Sequence, residues 1–448
     1  MTASLETLTH ALLNAALKAG AEAADSIAVS GDSQSIEVLN GALEHAERSE
    51  GIDLGLRVLI GRRQASVSSS DLRPETMQAM AERAVAMAKE APEDPHCGLA
   101  EADQLAQSWD IEALELADSS AAATPAELQE NALEAEAAAF AVSGVNQVQG
   151  AGAGYSRSAI HLAATNGFSG GYERTSRSTS CVAITGEGLK MERDYCGEGR
   201  IFATDMPSAT EIGRIAGERA TARANPKKPP TGAFPVIFDE RISSGLIGHL
   251  VAAINGASIA RGSSWLKDAM GELVLPEGLS LIEDPHRARV SGSKPFDAEG
   301  LPTAHRAVVE NGILQGWTLD LATARKLGLE STANAARGTS APPSPAAGNL
   351  SLTQGAETLD DLIAMMGTGL IVTSLIGSSI NANSGDYSRG ASGFWVENGV
   401  ITGPVNECTI AGNLREMLGS MRPANDGRAH LSRVVSSLLI EGLTIAGA

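Results

Sequence analysis

The sequence predicts a two-domain α+β protein. Residues 1–224 alternate amphipathic helices with hairpin strands. A proline-rich break follows at 225–232, and the remainder, 233–448, is dominated by short strands and turn signals. A chain of 448 residues is long enough for about two or three domains.

The elements follow in order. Residues 4–19 predict a helix with Leu5, Leu8, Leu12 and Ala16 on one face. Strands are expected at 27–30, 35–39 and 43–48, with Asn40-Gly41 as a hairpin turn. A second hairpin, 52–59 and 64–69, turns at Gly61. Pro74 opens a helix to residue 89, burying Met77, Met80, Ala84, Val85 and Ala88. The acidic, proline-bearing stretch 91–120 reads as an irregular excursion. Thr124-Pro125-Ala126-Glu127 then opens a helix to about residue 140, with a capping box and proline at its first position. Strands at 144–156, 159–165 and 170–185, turning at Asn166-Gly167, precede a helix at 208–223. The plan of helix, hairpins and helix thus occurs twice, at about 1–91 and 121–224, as an echo of architecture rather than of sequence.

Three prolines in 225–232 prevent that segment from continuing a helix or entering a central strand. Beyond it come a buried strand at 234–238, a helix at 242–254 carrying His249, and a segment around Trp265. Strands are expected at 279–283, 306–310 and 313–317, the last two joined at Asn311-Gly312. Residues 331–348, polar and with three prolines, read as a loop free to move. A short helix at 358–366, a strand at 370–375 and a hairpin of 393–397 with 400–403 complete the domain.

Composition narrows the function. Aromatic residues are only 3%, so the cores must be aliphatic, methionine and alanine. A net charge of −20 without a basic stripe argues against nucleic-acid binding; the densest basic cluster is Lys227-Lys228 in the linker. No 18-residue apolar run exists, so no membrane span is expected. The first residues lack a secretory pattern, which makes a reducing cytoplasm the expected location. Cys97, Cys181, Cys196 and Cys408 form no CxxC pair, and a Cys181–Cys196 disulfide is left open.

The chemical motifs mostly have plain explanations. No two of the eight histidines lie within five residues, and HExxH and HxH are absent. Asp94, His96 and Cys97 are ligand types in an acidic loop, better read as an ordinary loop. Gly167-Phe168-Ser169-Gly170-Gly171 matches GxSxG by letters, but a polar, strand-like stretch follows where a nucleophile elbow needs a helix. Ser264 to Lys267 matches SxxK without the accompanying SDN or KTG. The glycines of 150–154 read as a strand close to another backbone. Residues 385–399 concentrate glycine, polar and aromatic side chains. They read either as a loop lining a cleft or as a turn with an Asp386–Arg389 pair.

That segment, with GHLVAAI around His249, PFDAEG at 295–300 and ECTIAGNLREML at 407–418, resembles the TldD/PmbA family, closest to its PmbA (TldE) branch. The resemblance spans essentially the whole chain. It implies a cytoplasmic two-subunit metallopeptidase acting on short or unfolded peptides. In TldD-type subunits a helix carries HExxxH, with a further ligand from the C-terminal domain. Setting that helix against this one puts Gly248 at the first histidine, His249 at the glutamate and Ala253 at the second histidine. Cys408 does not obviously replace a ligand. The family's older label, a modulator of DNA gyrase, implies a nucleic-acid role, which the acidic charge argues to be indirect.

The expected function is therefore that of a non-catalytic, metal-free subunit, with zinc held by a TldD-type partner. Asp386, Tyr387 and Arg389 are its candidate substrate-binding residues, and an extended peptide could add to an exposed sheet edge. The alternative is a homodimeric peptide-binding or scaffold protein without peptidase activity. A third reading is an autonomous hydrolase using other residues.

Overall fold

The computed structural model describes residues 4–447. The first block comprises α1 (Leu5–Lys18), β1 (Ala23–Leu39), β2 (Ala42–Ile60), β3 (Arg63–Ser69) and α2 (Pro74–Glu90). The second repeats the plan with α3 (Pro125–Phe140), β4 (Val145–Ala164), β5 (Ser169–Thr185), β6 (Glu192–Arg200) and α4 (Ala209–Ala222). All six strands form one antiparallel sheet in the order β3-β2-β1-β4-β5-β6. The blocks join where β1 meets β4, from Asp25↔Ala164 to Val38↔Ala151, so the order reads the same outward from the middle.

The segments 27–30 and 35–39, expected as two strands, are one, as are 144–156 and 159–165. Polar residues such as Asp32 and Arg157 do not break these strands, because neighbours on both sides pair their backbones. The glycines of 150–154 lie within β4, as read from sequence. Cys181 and Cys196 face each other across β5 and β6 as free thiols.

All four helices cover one face of the sheet. Leu12, Ala16, Leu54, Leu56 and Ala84 are buried under α1 and α2. Ala132, Ala135, Ile212 and Ala216 play that part under α3 and α4. The small residues let the elements approach closely: a Cβ on Gly213 would lie 1.9 Å from the Ala135 carbonyl oxygen.

The other face docks the C-terminal domain. Phe296 of PFDAEG stacks edge-on against Trp109 and Phe168, with centroids 4.9 Å away in both cases. Gly300 takes φ +82° beneath the Phe168 ring, where a Cβ would come within 2.6 Å. The excursion 91–120 is irregular apart from two single-turn helices, and it tucks Leu105 and Ala106 into the seam. The loop 331–348 is packed rather than free. Ala335 is buried, and the fully buried Arg337 side chain pairs with Asp25 of β1. Burial alone would push the Asp25 carboxyl up, but Arg337 and Arg57 outweigh it and hold the group below its usual range.

In the C-terminal domain, β7 (Gly232–Phe238), β8 (Gly369–Ile380), β9 (Asp386–Glu397), β10 (Val400–Asn413) and β11 (Leu438–Ala446) form a closed ring of pairings. The order is β10-β9-β8-β7-β11, and β11 returns to β10 at Thr409–Ala411. Only β7 with β8 is parallel. Val236 and Phe238 face one core while Ile237 faces another beneath the helix Leu359–Met366. Burial on both faces explains the unbroken apolar run of β7. Among the described residues no helix is long and apolar enough to cross a membrane.

Candidate functional site

Helix α5 (Glu240–Ala253) follows β7 directly. Leu246, Ile247, Leu250 and Ala253 recur at helical spacing and are buried in the main C-terminal core. Asp239 caps the helix, accepting from the Arg241 amide at 3.0 Å. Arg241 and Arg223 both reach Asp194 of β6, at 3.1 and 3.4 Å. These buried pairs fix the start of α5 against the N-terminal sheet.

The opposite side of α5 is nearly bare. Gly245 and Ala252 are exposed, and Ser244, Gly248 and His249 are half-buried. Gly248 and Ala253, which the resemblance sets against two metal ligands, have different surroundings. The space that a side chain on Gly248 would enter is bounded by Arg433, whose Nη1 lies 3.2 Å from an added Cβ. Ala253 points into the core, and its carbonyl accepts from Ser264 Oγ at 2.6 Å. Among the described residues no three His, Cys, Asp or Glu side chains converge to hold a metal ion. Cys408 is buried and donates to the Ala391 carbonyl at 3.2 Å, and burial pushes its thiol up to about 11. These residues do not fit a zinc site of three or four ligands.

His249 packs edge-on against Tyr387 of β9, with ring centroids 5.8 Å apart at 72°. Burial, reinforced by the nearby Arg389 guanidinium, lowers the pKa of His249 below its ordinary value. Burial also pushes the Tyr387 phenol up to about 12, against the opposing pull of Arg389. Arg389 donates from Nε to the Gly377 carbonyl at 2.7 Å.

Residues 386–392, expected as a loop or turn, continue the expected strand 393–397 as one strand through Glu397, followed by the Asn398-Gly399 turn. Its glycines serve close backbone approach: a Cβ on Gly393 would lie 1.8 Å from the Ile371 carbonyl oxygen. The suggested Asp386–Arg389 pair does not form, because strand alternation puts these residues on opposite faces. Asp386 instead accepts from Ser384 Oγ at 2.6 Å and Asn413 Nδ2 at 3.2 Å, which hold its carboxyl down. Of the three candidate substrate residues, Tyr387 and Arg389 thus lie with His249, and the exposed Asp386 faces away. Arg433, brought in by a distant segment, was not legible as part of this site.

Other motif candidates take structural roles. Ser169 begins β5, as the hairpin reading required. Ser264 Oγ binds backbone and Lys267 pairs weakly with Asp268 at 3.9 Å, so SxxK forms no catalytic dyad.

Fold and site together define an α+β protein with a strand-rich C-terminal region, in which helix α5 presents no set of metal ligands among the described residues. Comparison with known proteins agrees. Residues 231–447 match the PmbA/TldA metallopeptidase C-terminal domain, residues 24–88 its domain 1 and residues 118–224 its central domain. The chain is 35% identical to Metalloprotease PmbA of Escherichia coli O157:H7, over 92% of this chain and 90% of that protein. It is 36% identical to a PmbA homologue of Haemophilus influenzae, over 96% and 94% of the two chains. A crystal structure of a candidate modulator of DNA gyrase from Bacteroides thetaiotaomicron superposes with a TM-score of 0.90 at 26% identity, covering 99% of each chain. TldE of Thermococcus kodakarensis shares the fold, with a TM-score of 0.84 at 22% identity over 98% and 99% of the two chains. The chain belongs to the PmbA/TldD metallopeptidase family, on its PmbA (TldE) branch.

Proposed function

We propose that this chain is the metal-free, non-catalytic subunit of a TldD/TldE-type heteromeric metallopeptidase that degrades or processes short unfolded peptides in the cytoplasm. The observation that carries this reading is the state of the two ligand positions. Gly248 offers no donor and borders an arginine; Ala253 is a core residue. His249 is then a single donor where catalytic zinc needs three protein ligands. Zinc, with the water activation it supplies, would come from a TldD-type partner. A metalloprotease TldD homologue from Haemophilus influenzae is 28% identical to this chain over 53% of it, which supports a TldD/TldE relationship.

This chain would shape the chamber and hold substrate. Strand addition at the N-terminal sheet is a poor route. The free edge of β2 before Leu54 carries exposed Glu44, Glu47 and Glu50, which guard it against pairing. The bare side of α5 beside β9 is the better candidate surface.

Pull-down from native lysate tests the reading, combined with peptide cleavage by each protein alone and by the mixture. Recovery of an HExxxH-bearing relative, with cleavage by the mixture and none by this chain alone, is expected. Self-association alone would favour the homodimeric binding or scaffold reading.

A further inference from the structure

The first turn of α5 and its middle differ in charge balance. Near the first turn two arginines are neutralised: Arg241 pairs with Asp239 and Asp194, and Arg428 with Glu198 and Glu240. At the Gly248–His249 step two further arginines approach from separate segments. Arg433 borders Gly248 from the two-residue strand Arg433–Val434, which pairs with Leu350–Ser351, and Arg389 lies beside His249 from β9. Neither forms an ion pair among the described residues. Arg389 gives its Nε to the Gly377 carbonyl and hydrogen-bonds the Tyr387 phenol, and neither partner is a carboxylate.

Two uncompensated guanidinium groups at one helix step are unusual in a chain with 54 acidic and 34 basic residues. Arg389 is half-buried and Arg433 exposed, and an anion bound at this step would gain from both positive charges. The floor suits a ligand: Gly248 adds no side chain, and the neighbouring Gly245 and Ala252 are exposed. His249, half-buried, adds an imidazole capable of a neutral hydrogen bond, and the buried Tyr387 backs it and hydrogen-bonds Arg389.

We propose that the Gly248–His249 step, with Arg389 and Arg433, is a carboxylate-binding subsite that anchors an extended peptide by its C-terminus or by an acidic side chain. Guanidinium groups read carboxylates through paired N–H donors, and the planar fork suits this better than an ammonium. The ligand space of a metal helix is here turned to charge recognition. The proposal rests on the substrate-holding function above but can fail separately from it.

Isothermal titration of the full chain with three pentapeptides tests it. The probes are acetyl-pentaalanine with a free C-terminus, its C-terminal amide, and that amide with a central glutamate. At least one carboxylate-bearing probe should bind about tenfold more tightly than the neutral amide, and the tighter of the two identifies the carboxylate's source. R389Q and R433Q should each weaken that binding by about tenfold. G248E should remove it, because its own carboxylate would face Arg433. Arg433 is exposed, and a Cβ on the half-buried Gly248 would meet only the Arg433 side chain, so R433Q and G248E keep the test decisive if R389Q fails to fold. Binding of all three probes alike, binding of none, or wild-type affinity in R433Q and G248E would each overturn the subsite. Those outcomes leave the metal-free reading untouched, since it falls only if the chain itself takes up zinc.

Discussion

The imidazole of His249 meets the phenol ring of Tyr387 edge-on, 5.8 Å between centroids. The residue proposed to stand in place of a general base is thereby engaged in an aromatic contact. Replacing His249 with Phe should keep that contact and the fold, whereas His249→Ala should lose about 1 kcal/mol or more. Urea unfolding of both variants checks this; equal loss in the two would contradict the packing role.

The same residue sets a pH dependence. Its pKa is lowered in the folded state from the ordinary 6.5, so the unfolded chain takes up the proton first. Its favourable contribution is present above about pH 6.5 and is lost as pH falls toward and through the lower folded value. Melting curves between about pH 7.5 and 5.5 should therefore fall more steeply for wild type than for H249F. Parallel slopes would contradict the assignment.

Ala253 leads to a third prediction. A histidine there would enter the core that holds Leu250, Ile254 and Leu266. Ala253→His should destabilise by about 1–3 kcal/mol through overpacking. Gly248→Ala should be near neutral: helix propensity gains up to about 1 kcal/mol, offset as Arg433 gives way from 3.2 Å. Thermal melts compare the two; a harmless Ala253→His would contradict the closed second ligand position.

Glu299 of PFDAEG predicts the opposite pH slope. It accepts from the Leu321 amide at 2.8 Å in the domain seam, and burial, then the neighbouring Asp297, push its pKa up to about 8. The folded chain holds this proton where the unfolded chain has released it. Its stability contribution therefore declines as pH rises from about 4.5 to about 8, by on the order of a few kcal/mol. Glu299→Gln keeps an acceptor for Leu321 and should remove that decline. An unchanged pH slope in E299Q would contradict it.

Glu136 is a purely structural counterpart. Its buried carboxylate accepts from the Asn40 and Gly41 amides at 2.6 and 2.7 Å, tying the β1–β2 hairpin turn to α3. Glu136→Ala should cost about 2–3 kcal/mol by leaving both donors unpaired. Hydrogen exchange at those two amides should rise with it; unchanged protection would contradict the tether.

Local chemistry made much of the fold legible. Asn40-Gly41, Asn311-Gly312 and Asn398-Gly399 all turn with positive φ, as their residue types require. The Thr124–Glu127 capping box forms in both directions. What local pattern could not give was pairing. Polar stretches of β1 and β4 looked like breaks because their partners are distant in sequence. Residues 386–392 looked like a loop because their glycine answers to β8, not to a turn. At the site, the resemblance pointed to Gly248, His249 and Ala253 because they are single residues on one helix. Arg433 was not, because only the tertiary fold carries it to Gly248.

Zinc content of the isolated chain tests the central claim most directly. The chain, purified without any TldD-type subunit and equilibrated with zinc, is dialysed and measured by elemental mass spectrometry, with peptide cleavage assayed on the same sample. The account predicts no stoichiometric zinc and no cleavage. One tightly held zinc ion per chain, with cleavage that a chelator abolishes, would contradict it.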